Sequence, residues 1–265
     1  MMDLIKAICF DLDDTLLWDE KSISLAFHGT CKLAAEKYEI DPELLERKVR
    51  ESARELYESY DVYPFTKMIG INPFEGLWGT FNDEGEEFAK LREVAPAYQK
   101  QAWAEGLKKV GIEDSDFAVE LAKTFPKVRK ESPMLYEDSL EVLDALKDKY
   151  QLFLLTNGSP ELQNIKLSIT PELRPYFEGI VISGEFGRGK PDHRIFQHVL
   201  EKLNLNSEEV LMVGDNLNTD ILGANRADIR SVWINRKGVK RTDGGVPTYE
   251  IYQLRDLLGL LKTIE

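Results

Sequence analysis

The sequence is poor in cysteine, histidine and positive charge, and it has no long apolar run. Two cysteines, Cys9 and Cys31, stand in apolar stretches. They offer neither a disulfide framework nor the paired spacing of a zinc site, and a reducing compartment is the expected home. The three histidines, His28, His193 and His198, have no metal-ligand spacing and read as structural or surface residues. No Gly-x-Ser-x-Gly elbow is present, which leaves out the serine hydrolases that depend on it. Lys and Arg number 34 against 47 Asp and Glu, for a formal net charge of −13. Neither a nucleic-acid backbone nor an anionic membrane is therefore expected as a partner. No apolar stretch reaches the ~18 residues of a membrane span. The N-terminus has neither the basic start nor the apolar centre of a secretory leader, so a cytoplasmic location is expected. There is no internal repeat and no low-complexity tract. What remains is ordinary globular composition, 43% apolar and 31% charged over 265 residues, ample for a sizeable core in one large or two small folding units.

Five short apolar runs read as buried strands: 4–10, 151–155, 179–182, 210–213 and 230–234. Four of them end at polar or glycine-containing clusters, namely Asp11, Thr156-Asn157-Gly158, Ser183-Gly184 and Gly214-Asp215. Helical spacing fills the later intervals. Leu140, Leu143, Leu146 and Tyr150 form one stripe; Ile195, Phe196, Val199, Leu200 and Leu203 a second; Leu254, Leu257, Leu258 and Leu261 a third. Short buried strands alternating with helices argue for an α/β fold, a Rossmann-like doubly wound parallel sheet. Ligands bind such sheets beyond the carboxyl ends of the strands, where the polar clusters stand.

The stretch 17–132 is different. Phe27, Cys31, Ala34, Ala35 and Tyr38 form one helical stripe, and Leu45, Val49, Ala53, Leu56 and Tyr60 another. Asp41-Pro42 offers an N-cap followed by a first-turn proline. Residues 64–82 are rich in Pro, Gly, Asn and aromatics, and further helices are expected over 86–110 and 115–125. The expected organisation is a core of 1–16 and 133–265, with an all-helical domain of 17–132 inserted after the first strand.

The sharpest chemical signal is Asp11-Leu12-Asp13-Asp14-Thr15. Three carboxylates in four residues repel one another unless a cation or a proton relieves them. Two carboxylates in one pocket can act as nucleophile and general acid/base; the alternative is a solvated acidic turn. Thr156-Asn157-Gly158 offers a hydroxyl and successive N–H groups for phosphate oxygens, or is only a turn. Gly184 to Lys190 nearly spells a P-loop, but Pro191 stands where Ser or Thr would bind magnesium. A flexible loop delivering Lys190 to a phosphate fits better; the alternative is a solvated surface lysine. Asp215 and Asp220 add two carboxylates, oxygen ligands of the kind that suit Mg²⁺; for Asp220 helix capping is the alternative.

Taken in order, Asp11-Leu12-Asp13-Asp14-Thr15, Thr156-Asn157, Lys190-Pro191 and Gly214-Asp215 with Asp220 resemble the four motifs of the haloacid dehalogenase superfamily of phosphohydrolases. The helical insertion resembles that superfamily's C1 cap. The feel of the whole is most similar to phosphoserine-phosphatase-like and nucleotidase-like members. The resemblance implies an Mg²⁺-dependent phosphatase acting on a small phosphorylated metabolite through an aspartyl-phosphate. Asp11 would be the nucleophile and Asp13 the general acid/base. Thr156, the Asn157 backbone and Lys190 would hold the phosphoryl group. Asp11, the Asp13 carbonyl and Asp215 would bind the metal, with Asp220 supporting from behind. Ionised Asp11, Asp215 and Asp220 with a phosphate dianion would set about five negative charges against one lysine, which calls for a divalent cation. Asp13 favours phosphate esters over halides, because a leaving halide needs no proton. A phosphomutase would keep the same residues, and a phospho-receiver or phosphate-binding regulatory protein would share some of them. Oligomeric state is not legible.

Overall fold

The computed structural model describes residues 5–241 and 243–264. Its strands are β1 (Ala7–Phe10), β2 (Gln151–Thr156), β3 (Gly179–Ile182), β4 (Val210–Gly214), β5 (Arg230–Ile234) and β6 (Tyr249–Ile251). They form one sheet in the order β3-β2-β1-β4-β5-β6, with every pairing parallel. The first five match the apolar runs, although Leu4 lies outside the described residues; β6 was not expected. β1 and β4 are buried at every position, because both faces are covered. Ala7, Cys9, Phe153, Leu155, Val210 and Met212 pack with Ile195, Phe196 and Val199. Ile8, Phe10, Leu152, Leu154, Leu211 and Val213 point the other way by alternation and are buried as well. The result is a Rossmann-like α/β fold.

After β1 come α1 (Asp19–Tyr38), α2 (Pro42–Ser59), α3 (Tyr63–Ile69), α4 (Pro73–Gly76), α5 (Glu86–Lys109) and α6 (Ser115–Lys130). The remaining helices are α7 (Ser139–Leu146), α8 (Pro160–Ile169), α9 (Ser183–Phe186), α10 (His193–Leu203), α11 (Leu222–Arg226) and α12 (Asp256–Ile264). α2 begins as its sequence dictates: the Asp41 side chain accepts from the Glu43 N–H at 2.9 Å, and Pro42 opens the helix. α6 runs beyond its expected end at 125, through Pro126 to Lys130. Its last turn is held by Arg129, which is buried and bonded to Ser22 and Asp19. The Pro- and aromatic-rich stretch forms the two short helices α3 and α4. Among the described residues no helix is long and apolar enough to cross a membrane.

The chain divides into two compact units. One contains the sheet and comprises the residues up to Trp18, then Met134–Gly158 and Thr170 onward. The other is all-helical and comprises Asp19–Pro133 together with Ser159–Ile169. The second segment departs from the expected organisation, which placed 159–169 in the core. Within the helical unit, Leu162 joins the apolar cluster of Phe27, Trp103 and Phe125, and Lys166 pairs with Glu75 at 2.9 Å. The Asp83 carboxylate also accepts from Ser159 Oγ and the Glu161 N–H, satisfying the first turn of α8.

The strand register positions the chemistry. Phe10 pairs with Leu154 on one side and Val213 on the other. Asp11 therefore leaves the sheet level with Leu155 and Gly214, one residue short of Thr156 and Asp215. β2 and β3 lie to one side of β1 and β4 to β6 to the other, so the β1–β4 boundary is the switch point at which such sheets bind ligands.

Candidate active site

Asp11 continues β1 by donating its N–H to the Val213 carbonyl at 2.9 Å, and its side chain is buried. Its two carboxylate oxygens have different partners. Oδ1 accepts from Lys190 Nζ at 2.6 Å, and Oδ2 accepts from Thr15 Oγ1 at 3.2 Å. The chain then turns sharply. Asp14 adopts a left-handed conformation, and the Leu16 and Leu17 N–H groups both donate to the Leu12 carbonyl. This turn leaves Asp13 half-buried beside the cluster rather than carried away along a strand.

Lys190 is also buried and spends its ammonium on three oxygens. Besides Asp11 it reaches the Leu155 carbonyl and Asp220 Oδ1, each at 2.7 Å. Its backbone is gripped by Asn157: the Lys190 N–H donates to Asn157 Oδ1 at 2.8 Å, and Asn157 Nδ2 donates to the Lys190 carbonyl at 2.9 Å. Gly189 permits this, since a Cβ there would stand 2.7 Å from Asn157 Oδ1. The expectation of a flexible lysine-bearing loop gives way to one held at both its backbone and its ammonium. The Asn157 side chain thus serves Lys190, and only its backbone is left for a phosphoryl oxygen. Thr156 is fully buried at the end of β2.

Asp220 is fully buried in a wide helical turn, Leu217–Ile221, a conformation common at functional sites. Its Oδ2 accepts from the Asn216 N–H at 3.0 Å. Gly214 makes room for it, because a Cβ there would come within 2.4 Å of the Asp220 carboxyl carbon. Asp215 is half-buried, and its carbonyl accepts from Trp233 Nε1 at 2.8 Å.

Oxygens of Asp11, Asp215 and Asp220 all lie within 4.8 Å of one another. Burial pushes the Asp11 carboxyl up to about 7; Asp220 and Asp13 add to the rise and Lys190 opposes it. Burial, then the charges of Asp220, Asp11 and Asp14, also holds Asp215 well above the ordinary carboxylate range. Burial alone would depress Lys190, but Asp11 and Asp220 prevail and hold its ammonium above the usual value. One ammonium does not offset three clustered carboxylates. An all-oxygen donor set with surplus negative charge fits a hard divalent cation.

The structure brings together Asp11, Lys190, Asp215 and Asp220, with Asp13 and the Thr156-Asn157 turn at the same sheet rim. Sequence reasoning gave no role to Thr15, Trp233, Arg236 or Asp138. Arg236 had one available signal, since it follows a strand end at that rim. Its Nη2 donates to the Thr15 carbonyl at 3.1 Å and to Asp138 Oδ1 at 3.2 Å.

A family model of haloacid dehalogenase-like hydrolases matches residues 5–228. The chain is 32% identical over 254 residues to the phosphoserine phosphatase of Thermus thermophilus, covering 96% of this chain and 98% of that one. It is 36% identical over 124 residues to the pyrimidine 5'-nucleotidase YjjG of Escherichia coli, covering 46% and 55%. The fold resembles the magnesium-bound crystal structure of the HAD-hydrolase YfnB from Bacillus subtilis, with a TM-score of 0.66 at 23% identity over 98% of this chain and 99% of that one. It also resembles the L-2-haloacid dehalogenase of Xanthobacter autotrophicus, with a TM-score of 0.62 at 19% identity over 99% and 100%.

Proposed function

The chain belongs to the haloacid dehalogenase-like hydrolases, and we propose that within them it is an Mg²⁺-dependent phosphatase of a small soluble phosphomonoester, working through an aspartyl-phosphate on Asp11. The observation that carries this reading is the buried Asp11 carboxylate, 2.6 Å from the Lys190 ammonium and clustered with Asp215 and Asp220. The two relatives named phosphatase and nucleotidase support it.

In this reading an Asp11 oxygen attacks phosphorus and the bond to the leaving alkoxide breaks. Asp13 gives that alkoxide its proton. Asp13 then takes a proton from water, whose oxygen attacks phosphorus, and inorganic phosphate leaves with Asp11 regenerated. A proton donor at position 13 suits an oxygen leaving group, where a halide would need none. The Thr156 hydroxyl and the Asn157 N–H hold phosphoryl oxygens, and Lys190 offsets the charge that builds beside Asp11. Asp220 keeps Lys190 in place. Mg²⁺, held by Asp11, the Asp13 carbonyl and Asp215, would supply the positive charge that lets an anionic nucleophile approach a phosphate dianion.

Hydrolysis of a generic aryl phosphate with Mg²⁺ tests this. Asp11→Asn should lower turnover by at least about 10³-fold, with the variant folded by circular dichroism. Full turnover in that variant would remove Asp11 as the nucleophile.

A further inference from the structure

We propose that Arg236 is a positioning residue for Asp11, acting through Thr15; the proposal rests on the reading of Asp11 as nucleophile. Arg236 follows β5, so the parallel sheet brings it to the rim where β1 delivers Asp11. Its guanidinium is held by one ring face and, through Nη2, by two oxygens. The guanidinium carbon lies over the Tyr136 ring, 3.6 Å from the centroid, and Tyr136 in turn stacks on Trp18 at 5.3 Å. Nη2 pairs with Asp138, whose side chain is only 8% exposed. Asp138 is itself held, since its Oδ2 accepts from the Arg255 N–H at 3.1 Å.

A guanidinium held this firmly presents a fixed donor, and it points at the Thr15 carbonyl, 3.1 Å away. The neighbouring Leu16 carbonyl is held separately, accepting from the Tyr136 N–H at 3.1 Å and from Ser139 Oγ at 2.8 Å. The two contacts fix successive peptide planes of the turn that follows the nucleophile. Thr15 then transmits the placement, because its hydroxyl donates to Asp11 Oδ2, the oxygen that Lys190 does not take. Lys190 and Thr15 together set the rotation of the carboxylate, and Arg236 sets Thr15. An error of about 1 Å in such a group costs about 10²-fold in rate.

The test is a double-mutant cycle on aryl phosphate hydrolysis at saturating Mg²⁺, with Arg236→Met, Thr15→Val and the double variant. Arg236→Met should lower kcat by about 10- to 100-fold with KM changed less than about twofold, because in this role the residue acts through Thr15 and not on the substrate. The double variant should be no slower than the slower single one, because both act through one contact chain. Arg236→Lys, which keeps the charge and one donor, should recover part of kcat and takes the place of Arg236→Met in the cycle if the latter does not fold. Unchanged kcat, or losses that multiply in the double variant, would overturn the proposal. Asp11→Asn, run alongside, separates the two failures: an active Asp11→Asn sinks the nucleophile reading, whereas an inactive one with a multiplicative cycle sinks the role of Arg236 alone.

Discussion

Two of the buried charge clusters among the described residues differ in balance. In the helical unit, Lys166 lies 2.9 Å from Glu75 and 3.7 Å from Asp19, and Arg129 bonds to Asp19 and Ser22. These four ionisable side chains are at most 7% exposed, two of each sign. In the sheet unit, Asp11, Asp215 and Asp220 cluster together, and Lys190 pairs with Asp11 and Asp220. A buried group of charges persists when each has a partner. The first cluster meets that condition from within the chain. The second does not, and there burial, with the neighbouring carboxylates adding to it, raises the pKa values of Asp11 and Asp215. The lesson is that burial of charge by itself says little about function, whereas a built-in deficit of one sign points to a ligand carrying the other.

The largest expected effect follows from that deficit. Stripping divalent ions with a chelator should reduce aryl phosphate hydrolysis by at least about 10³-fold, and added Mg²⁺ should restore it. Mg²⁺ should also raise the unfolding free energy of the chelated protein, by about 2.7 kcal/mol at a hundredfold excess over Kd. A rate and a melting temperature indifferent to chelator would erase the contrast between the clusters.

The balanced cluster should respond to the opposite treatment. Lys166→Met leaves Glu75 buried without its cation and should cost about 3–5 kcal/mol in urea unfolding. Adding Glu75→Gln removes the carboxylate charge that Lys166 had faced and keeps an oxygen for the Asn72 N–H that now bonds Glu75 Oε2, so at least half of the loss should return. Mg²⁺ should rescue neither variant beyond the gain it gives the parent protein. A loss below about 1 kcal/mol for Lys166→Met would mean that the helical cluster is not self-sufficient in the way its pairing indicates.

The two clusters were unequally legible in the sequence, for a physical reason. Asp11, Thr156 and Asp215 each stand at or directly after the end of a buried strand, and a parallel sheet collects strand ends at one rim, so local pattern implied long-range proximity. Lys190 and Asp220 were found beside the same ends. Nothing comparable announced Lys166, which stands in a helix whose apolar stripe reads the same whichever unit it joins, 91 residues from its partner Glu75. Its helix was accordingly placed in the core rather than with the helical unit. Arg236 hid among the cations after a strand, with Lys237 beside it, its value set by a carbonyl 221 residues earlier. β6 escaped because three residues, Tyr249–Ile251, are too few for a periodic signal.

The smallest expected effect is the most discriminating, because its sign changes with the metal. Asp215 is held well above the ordinary carboxylate range by burial and by Asp220, Asp11 and Asp14, so its ionised form weighs against the fold when no cation is bound. Asp215→Asn removes that charge while leaving the backbone carbonyl that accepts from Trp233. In chelator the variant should be more stable than the parent, on the order of 1 kcal/mol. At saturating Mg²⁺ the order should reverse, because the parent gains binding energy and the variant has lost a ligand. A removed charge in the balanced cluster has no such crossover, since destabilisation there is independent of metal. Thermal melts of parent and variant, each with chelator and with Mg²⁺, show whether the lines cross. Parallel shifts would place Asp215 with the structural charges rather than with those that await a cation.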